Sequence, residues 1–386
     1  MVSENQHHKE KLDQLFQHTV RKRTGGQLIS CVEKGDGSFR WSSADGPAVD
    51  SSPADENTPF FIASIDKLLN AALLIQLAEE GLVALDNPFS IYLPSSFSNR
   101  LHVYKGEDYT DRITVRHLLT HTSGLADWYE DYPKEGKNLV EEIIKQGDRY
   151  LELTELLDYV RNRLTPNFPP QPVAAFIKDK GQKKRIKTRY TDTGFMLICA
   201  ILEEVTGQKL EELHHSRIYE PLGMKHTWML DRTQPAAETA KPLGLLASGR
   251  AIEIPKALRS VWGVYSTCAD MITFLKALYA GELFQKSESW EWMFSGWHTF
   301  GFPSDRASVR LPGWPIAYSH GAMKFRLPRL FTPLKGMPEI VGHTGSTGCW
   351  LFYCPQLDLY MCGAADDMTA GALPFRYVPA MLKLLQ

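Results

Sequence analysis

The chain has 386 residues, of which 43% are hydrophobic, and this is enough to bury the core of one large domain or two coupled ones. Lysine and arginine number 43 against 45 aspartates and glutamates, and this near-zero balance gives no electrostatic reason to expect nucleic acid or an anionic membrane surface as a partner. No stretch approaches the roughly 18 apolar residues of a membrane span and the N-terminus lacks the apolar core of a secretory signal, so we expect a cytoplasmic protein.

Apolar spacing in the first quarter of the chain predicts a helix, a hairpin and a second helix. Residues 10–20 carry leucine and phenylalanine at helical spacing, and residues 27–33 and 38–42 read as strands around a glycine-rich turn. Residues 64–85 are apolar on nearly every face, with Gly81 as a terminator, which predicts a helix buried on most sides.

The middle of the chain has a helical pattern, and strand patterns return towards its end. Between residues 91 and 219 the pattern predicts helices over these segments: 115–120, 139–146, 154–163 and 194–206. After residue 244 the predicted elements are a helix, three strands and a final helix, at 267–280, 339–342, 349–354, 357–364 and 374–385.

Strands at both ends of the chain predict a single sheet assembled from the two termini. We therefore expect an α/β (α+β) fold in which residues 1–90 and 240–386 form an antiparallel sheet flanked by helices. Residues 91–239 would form an inserted, mainly helical subdomain, with the catalytic cleft between the two parts.

Ser64 and Lys67 are the first candidates for chemistry. They open the buried helix three residues apart, so their side chains share one helical face. A lysine can take the proton of a serine hydroxyl only if its pKa is lowered, and we expect the apolar surroundings to lower it. The N–H of Ser64, at the positive end of the helix, is a candidate oxyanion donor. An S-x-x-K pattern also arises by chance about once in a chain this long.

Two further motifs follow in order, Tyr190-Thr191-Asp192 and His343-Thr344-Gly345. Together with Ser64-x-x-Lys67 they resemble the three signatures of the penicillin-recognising serine hydrolases, in the branch related to class C β-lactamases. Supporting segments at 115–125, 219–224 and 263–267 extend the resemblance over residues 60–365. The resemblance implies a β-lactamase/transpeptidase-like fold.

The resemblance also implies roles for individual residues. Ser64 would be the acylated nucleophile, and Lys67 and Tyr190 would be its proton-transfer partners, with either of the two as the base because coupled groups titrate together. No metal or organic cofactor would be needed.

Two departures from the family pattern concern the substrate. His343 replaces the usual lysine, so the positive charge that holds a substrate carboxylate would be weakened or pH-dependent. Asp192 replaces the usual asparagine and brings an acceptor or a negative charge. We expect Thr344 and Gly345 on an edge strand beside the substrate, with the Ser346 N–H completing the oxyanion hole.

These residues predict hydrolysis of a small-molecule ester, amide or peptide through a Ser64 acyl-enzyme. The alternatives are a true β-lactamase or D-Ala-D-Ala carboxypeptidase, an acyltransferase, and a catalytically weak penicillin-binding-protein-like sensor of acyl ligands. The oligomeric state is not predicted.

Several other features have simpler interpretations. His117 and His121 have the spacing of zinc ligands but lack the accompanying glutamate, and His214 is expected to face solvent. The basic segment 169–189 is either a flap over the cleft or a solvated hairpin. The six cysteines lack a C-x-x-C pair and are expected to be reduced, buried thiols. Six aromatic residues either wall an apolar acyl pocket or pack the core: Trp128, Tyr129, Tyr132, Trp262, Trp297 and Trp314.

Overall fold

The computed structural model of the chain describes residues 4–23, 25–172, 186–332 and 336–386. Its helices are α1 Glu4–Arg21, α2 Asp66–Glu79, α3 Ser95–Ser98, α4 Val115–Leu119, α5 Leu139–Gln146, α6 Leu153–Arg163, α7 Asp192–Thr206, α8 Leu210–His214, α9 Glu220–Leu222, α10 Pro255–Ser260, α11 Cys268–Ala280, α12 Ser287–Phe294 and α13 Pro374–Leu385. Its strands are β1 Leu28–Lys34, β2 Arg40–Asp45, β3 Phe60–Phe61, β4 Val103–Tyr104, β5 Glu107–Asp108, β6 Trp228–Met229, β7 Leu246–Ala247, β8 Arg250–Ala251, β9 Val264–Ser266, β10 His298–Thr299, β11 Ala317–Tyr318, β12 Met323–Phe325, β13 Ile340–Thr344, β14 Trp350–Cys354 and β15 Leu359–Ala364.

The main sheet joins strands from both ends of the chain. Its order is β10-β11-β12-β13-β14-β15-β1-β2, and each neighbouring pair is antiparallel. The N-terminal hairpin pairs with the last strand, where Cys31 lies opposite Cys362. The predicted sheet built from both termini is therefore confirmed.

Helices cover the two faces of this sheet. In β14, Trp350 and Phe352 belong to the apolar cluster shared with α1 and α13, whereas Leu351 and Tyr353 belong to the cluster that includes α11. This alternation follows from the period of two in a strand. Because both faces are covered, the residues of β13, β14 and β15 are all buried.

Local capping explains where the main helices begin and end. The Thr267 hydroxyl accepts the Asp270 N–H to start α11, and Gly281, at a φ of +80°, ends it. Asn138 caps α5 in the same way by accepting the Glu141 N–H.

Helix α2 lies at the centre of the molecule. It contacts α7, α8 and α12 as well as β13 of the main sheet. Ten of its residues, Lys67 among them, are buried, as the apolar sequence predicts. The helix ends at Glu79, just before Gly81, rather than continuing to residue 85.

One strand prediction is wrong. We expected the strand with His343 to lie at the sheet edge, but β13 is interior, between β12 and β14. The short strands β10, β11 and β12 extend the sheet beyond it, although β12 pairs with β13 only as far as Gly342. His343 and Thr344 pair with β14 alone.

Among the helices that the structure describes, none is both long enough and apolar enough to cross a bilayer.

Candidate active site

Ser64 lies in a tight 3₁₀ turn, Ala63–Ile65, immediately before α2. Ala63 has a φ of +44°, which is unfavourable for a residue with a Cβ, so the turn that presents Ser64 is strained. Gly345 packs against this turn, because a Cβ on Gly345 would lie 2.7 Å from the Ala63 Cβ and 2.4 Å from the Cys349 sulfur. The glycine thus allows the end of β13 to contact the Ser64 turn closely.

The Lys67 ammonium lies between Ser64 and a carboxylate. Its Nζ is 3.1 Å from Ser64 Oγ and 2.6 Å from Asp192 Oδ1, and Asp66 Oδ1 is 3.8 Å away. Only 5% of Lys67 is exposed to solvent. Ser64, Lys67 and Asp192 therefore form one connected buried group.

The expected direction of the Lys67 pKa is wrong. Burial by itself lowers the pKa of Lys67, but Asp192 and Asp66 act against it and hold the pKa above its ordinary value. Lys67 is consequently an ammonium in the resting site. The apolar pattern of the helix indicated the burial correctly but contained no information about Asp192, which is distant in sequence.

Tyr190 lies next to Ser64, as the resemblance implies. Its hydroxyl shares a hydrogen bond with the Ser64 side chain, and its ring centroid is 5.4 Å from Lys67 Nζ. Burial, followed by the charge of Asp192, raises the pKa of Tyr190, so its phenol is protonated at rest.

His121 holds Tyr190 in position, and sequence reasoning missed it. The two ring centroids are 4.3 Å apart, and His121 Nδ1 accepts the backbone N–H of Thr191 at 3.2 Å. Burial lowers the pKa of His121, which keeps the ring neutral. Its φ of +55° is a second strained backbone position at the site.

Asp127 orients Asp192 and was also missed. One carboxylate oxygen of Asp127 accepts the N–H groups of Tyr129 and Glu130 at 2.8 and 2.7 Å, and the other accepts the N–H of Asp192. Asp192 is the first residue of α7, so this contact fixes the helix start beside Lys67. The sequence places Asp127 in a loop but contains no pattern that links it to Asp192.

His343 carries no positive charge to the substrate. It is fully buried, and its Nδ1–H donates to the Thr344 carbonyl at 2.6 Å, so its Nε2 accepts the Tyr318 hydroxyl at 2.9 Å. Burial lowers the pKa of His343 to about 3. The expected weakening of this charge becomes a complete loss at neutral pH.

The segment after His343 approaches Ser64 from the sheet. The Thr344 hydroxyl lies 3.9 Å from the Met323 sulfur, and the Gly345 N–H donates to the Cys349 carbonyl at 2.9 Å. In the described part of the chain, the backbone N–H groups of Ser64 and Ser346 have no hydrogen-bond acceptor. Both residues line one cavity.

This cavity encloses about 990 Å³ of empty space, including solvent at its mouth. Ser64, Asp66, Lys67 and Asp192 line its polar part, and most of the remaining lining is apolar. The apolar walls come chiefly from α5, α7 and the segment that follows α10, through Val140, Ile143, Ile144, Phe195, Met196 and Trp262.

The aromatic residues noted in the sequence and His214 lie in different surroundings. Trp128, Tyr129 and Trp262 line the cavity, whereas Trp314 lies against Phe302 at the surface. His214 is buried, not solvent-facing, with Nε2 2.8 Å from Asn70 Oδ1.

His117 and His121 contact different parts of the molecule. His117 Nδ1 accepts the Thr114 N–H at 2.9 Å, whereas the His121 ring packs on Tyr190. No cluster of metal-ligand type occurs among the described residues. All six cysteines are buried and free.

Most of the basic segment lies outside the described residues, including Lys178, Lys180, Lys183, Lys184 and Arg185. Of the part that is described, Arg189 forms ion pairs with Asp131 at 2.5 Å and Asp305 at 2.8 Å.

A comparison with protein families decides the classification. The model of the beta-lactamase family matches residues 12–371, which is nearly the whole chain. The chain belongs to this family. It is accordingly a serine hydrolase with the β-lactamase-like fold.

Similar proteins include hydrolases of D-alanine derivatives. The chain is 25% identical over 314 residues to the D-alanyl-D-alanine-carboxypeptidase/endopeptidase AmpH of Escherichia coli (strain K12), covering 81% of this chain and 71% of that protein. It is 26% identical over 231 residues to the teichoic acid D-alanine hydrolase of Staphylococcus aureus, covering 59% of this chain and 48% of that protein. The match therefore spans only about half of the latter protein.

Similar solved structures include two amide hydrolases. The D-amino acid amidase from Ochrobactrum anthropi SV3, complexed with L-phenylalanine amide, superposes with a TM-score of 0.71 at 20% identity over 99% of this chain and 98% of that one. The D-stereospecific amidohydrolase from Streptomyces sp. gives a TM-score of 0.70 at 21% identity over 97% and 98%. These likenesses establish the shared fold.

Proposed function

We propose that Ser64 is the nucleophile of a two-step hydrolysis of esters or amides, with Lys67, Tyr190 and Asp192 handling its proton. The observation that carries this proposal is the position of Lys67 Nζ, 3.1 Å from Ser64 Oγ and 2.6 Å from Asp192 Oδ1. Hydrogen-bond reach between a nucleophile and its proton-transfer partners is the geometric requirement for such catalysis.

In the first step, Ser64 Oγ forms a bond to the substrate carbonyl carbon and gives its proton to the Lys67/Tyr190 pair. Because Lys67 is already an ammonium, it passes one of its own protons to Asp192 as it receives the new one. The carbonyl oxygen becomes an oxyanion between the N–H groups of Ser64 and Ser346. The bond to the leaving group then breaks, and the leaving atom takes the proton back from the same pair.

In the second step, water attacks the acyl carbon. Its proton passes to the same pair of side chains, the bond from Ser64 Oγ to the acyl carbon breaks, and Ser64 recovers its proton as the acid is released. We assign Tyr190, which shares a hydrogen bond with Ser64 and is protonated at rest, as the member of the pair that protonates the leaving group in the first step.

The surroundings of Ser64 disfavour substrates that carry a carboxylate. The buried His343 is neutral, and the Lys67 charge is engaged by Asp192. This argues against the carboxylate-bearing β-lactams and D-Ala-D-Ala peptides, although one relative carries carboxypeptidase in its name. Neutral esters and amides fit the site better.

A second candidate function is the hydrolysis of D-amino acid esters or amides. It is supported by the names of relatives, a teichoic acid D-alanine hydrolase and a D-amino acid amidase. The charged groups along the cavity are two carboxylates and one ammonium, and their net negative charge favours an α-ammonium group. Faster release of ammonia from D-phenylalanine amide than from L-phenylalanine amide would support it, and equal rates would count against it.

Intact-mass spectrometry tests the nucleophile directly. The protein and Ser64→Ala are each mixed with p-nitrophenyl butyrate, a β-lactam and a fluorophosphonate. We expect a mass adduct with the unaltered protein that is missing in Ser64→Ala, and turnover of the ester but not of the β-lactam. An absence of adducts from all three reagents would overturn the proposed function, and rapid β-lactam turnover would restore the β-lactamase alternative.

A further inference from the structure

The cavity beside Ser64 has the composition of a binding site for an apolar group. Its ionic lining residues in the described part of the chain are Asp66, Lys67 and Asp192, and all three lie together near the nucleophile. Beyond them the walls are hydrocarbon, aromatic and sulfur-containing side chains. Apolar pockets with a few convergent polar groups are typical sites for small ligands.

Two polar side chains elsewhere in the lining are already engaged within the protein. Asn70 Oδ1 lies 2.8 Å from His214 Nε2, and the Thr347 hydroxyl is hydrogen-bonded to Asp366. The indole Nε1 atoms of Trp128 and Trp262 have no hydrogen-bond partner among the described residues, so they are the polar atoms that an otherwise apolar ligand could still meet. Most of the remaining lining is apolar surface, whose burial contributes roughly 25 cal/mol per Å².

The orientation of the reacting groups indicates which part of the substrate enters the cavity. Ser64 and Ser346, whose N–H groups would hold the oxyanion, both line it. Tyr190, the proposed proton donor to the leaving group, is not among the described residues that line it. A carbonyl bound by Ser64 and Ser346 thus directs its acyl substituent into the cavity and its leaving group away from it.

We propose that this cavity is the acyl-binding pocket and that it selects a bulky, apolar acyl group without a negative charge. The inference rests on the proposed function, because it takes Ser64 as the nucleophile. Helix α5 forms one wall through Val140, Ile143 and Ile144. Ile144 is 45% exposed, so this wall reaches the surface and its side chain can be changed with little effect on the core.

Three substrate series test the proposal. The first keeps p-nitrophenol as the leaving group and lengthens the acyl chain from acetate through butyrate to octanoate. The second keeps the acetyl group and enlarges the leaving group from phenol to naphthol. The third compares the p-nitrophenyl ester of pentanoic acid with the mono-ester of glutaric acid, which places a carboxylate at the far end of the acyl group.

Two variants of adjacent residues provide the matched comparison. Ile144→Trp narrows the cavity, whereas Lys145→Trp changes an exposed neighbour on the same helix that is not in the lining. Met196→Ala, on the opposite wall, enlarges the cavity. Thermal unfolding of each variant shows that it is folded before its kinetics are compared.

We expect kcat/KM to rise about tenfold or more from acetate to octanoate, and to be about tenfold lower for the glutarate than for the pentanoate ester. Ile144→Trp should remove most of the gain for octanoate relative to acetate, and Met196→Ala should favour the longest chain. Lys145→Trp, outside the lining, should match the unaltered protein.

The measurements distinguish failure of the acyl-pocket assignment from failure of the proposed function. Turnover that depends on Ser64 but is indifferent to acyl length would overturn the acyl pocket and leave the proposed function standing. A preference that follows the leaving group, and is altered by Ile144→Trp, would assign the cavity to the leaving group instead. Absence of any Ser64-dependent turnover would remove the proposed function and this inference with it.

Discussion

The pair formed by Lys67 and Asp192 determines the charge state of the proposed nucleophile's environment. With the two side chains 2.6 Å apart and Lys67 buried, the ammonium is stabilised and donates towards Ser64 rather than accepting its proton. In the proposed mechanism, Lys67 can therefore take up the Ser64 proton only as it passes one of its own protons to Asp192. Family members often have asparagine at the position of Asp192. We expect the pH dependence of activity to differ from that of a site with asparagine, because Asp192 can carry a charge.

Asp192→Asn should shift the pH dependence of catalysis. Removing the carboxylate lowers the Lys67 pKa, because burial then acts without the largest opposing charge. The acidic limb of the profile of kcat/KM should move to lower pH by about one unit or more. The profile is measured with p-nitrophenyl butyrate between pH 4 and 9, and an unmoved acidic limb would show that the pair does not govern activity.

Lys67→Met should destabilise the protein. It leaves Asp192 and Asp66 without their cation in a site where only 18% of each side chain is exposed. Breaking such a buried pair costs about 3 kcal/mol of the free energy of unfolding, measured by urea denaturation. Adding Asp192→Asn should recover part of the loss.

The exposed ion pair of Arg112 with Glu107 serves as the control for this measurement. Its side chains are 63% and 51% exposed, so Arg112→Met should change the free energy of unfolding by less than about 1 kcal/mol. Equal losses in Lys67→Met and Arg112→Met would mean that the buried pair contributes no more than a surface pair.

For individual residues, the sequence predicts which side chains meet at the site better than it predicts their protonation. Ser64, Lys67 and Tyr190 come together as their motifs imply, because each motif lies at the start of a helix or next to one. His121 and Asp127 have no motif of their own, and their roles follow from contacts with residues about 65 to 70 positions away. The same is true of the Lys67 pKa, whose direction is reversed by a distant carboxylate.

Among the elements, the end of β13 and the Ser64 turn form the closest contact of the site. Gly345 makes this contact possible, since any larger residue meets Ala63 and Cys349 at distances far below van der Waals contact. The relative placement of Ser64 and the Ser346 N–H therefore depends on the absence of a Cβ at Gly345.

Gly345→Ala should separate the strand from the turn. We expect kcat/KM to fall about tenfold or more, because sub-ångström misplacement of oxyanion donors is costly. Gly301→Ala is the control, because a Cβ there meets nothing within 4 Å and its backbone is not in the left-handed region. Similar kinetics for the two variants would contradict the role of this close contact.

The long elements were predictable and the short ones were not. Helices α5 and α13 have the predicted bounds, since each has a strong apolar periodicity over two or more turns. Strands β10, β11 and β12 have two or three residues each, too few to show a period of two. Missing them placed β13 at the edge of the sheet, which is why that prediction failed.

For the whole molecule, the buried histidines dominate the response to acid. Burial lowers the pKa of His214, His320 and His343 to about 3 and of His102, His117 and His298 to about 4. In the unfolded chain they titrate near 6.5, so below that pH the unfolded state binds more protons and stability falls. Asp366, Glu130 and Asp66 act in the opposite sense, because their folded-state pKa values of about 8, 7 and 6 lie above the unfolded values near 4, so they favour the folded state as the pH falls through this range. These three carboxyl groups offset only part of the effect of the six histidines.

The free energy of unfolding should therefore decrease as the pH is lowered from about 6 to 4.5. In His214→Gln this slope should be smaller by about one proton, or about 1.4 kcal/mol per pH unit. His7→Gln, at an exposed position of α1, should leave the slope unchanged. The measurement is urea denaturation across this range, and a slope equal in both variants would show that burial of His214 is not coupled to stability.

The pairing of β1 with β15 also has a consequence for how the molecule is made. Cys31 has its strand partner in Cys362, and the Ser64 turn rests on Gly345, so neither contact can form until almost the entire chain has been synthesised. At about 5–20 residues per second, the N-terminal hairpin waits on the order of tens of seconds for its neighbour. During translation the first strands therefore remain without their partner in the sheet, and the Ser64 turn remains without its contact to Gly345, until β13 and β15 have left the ribosome.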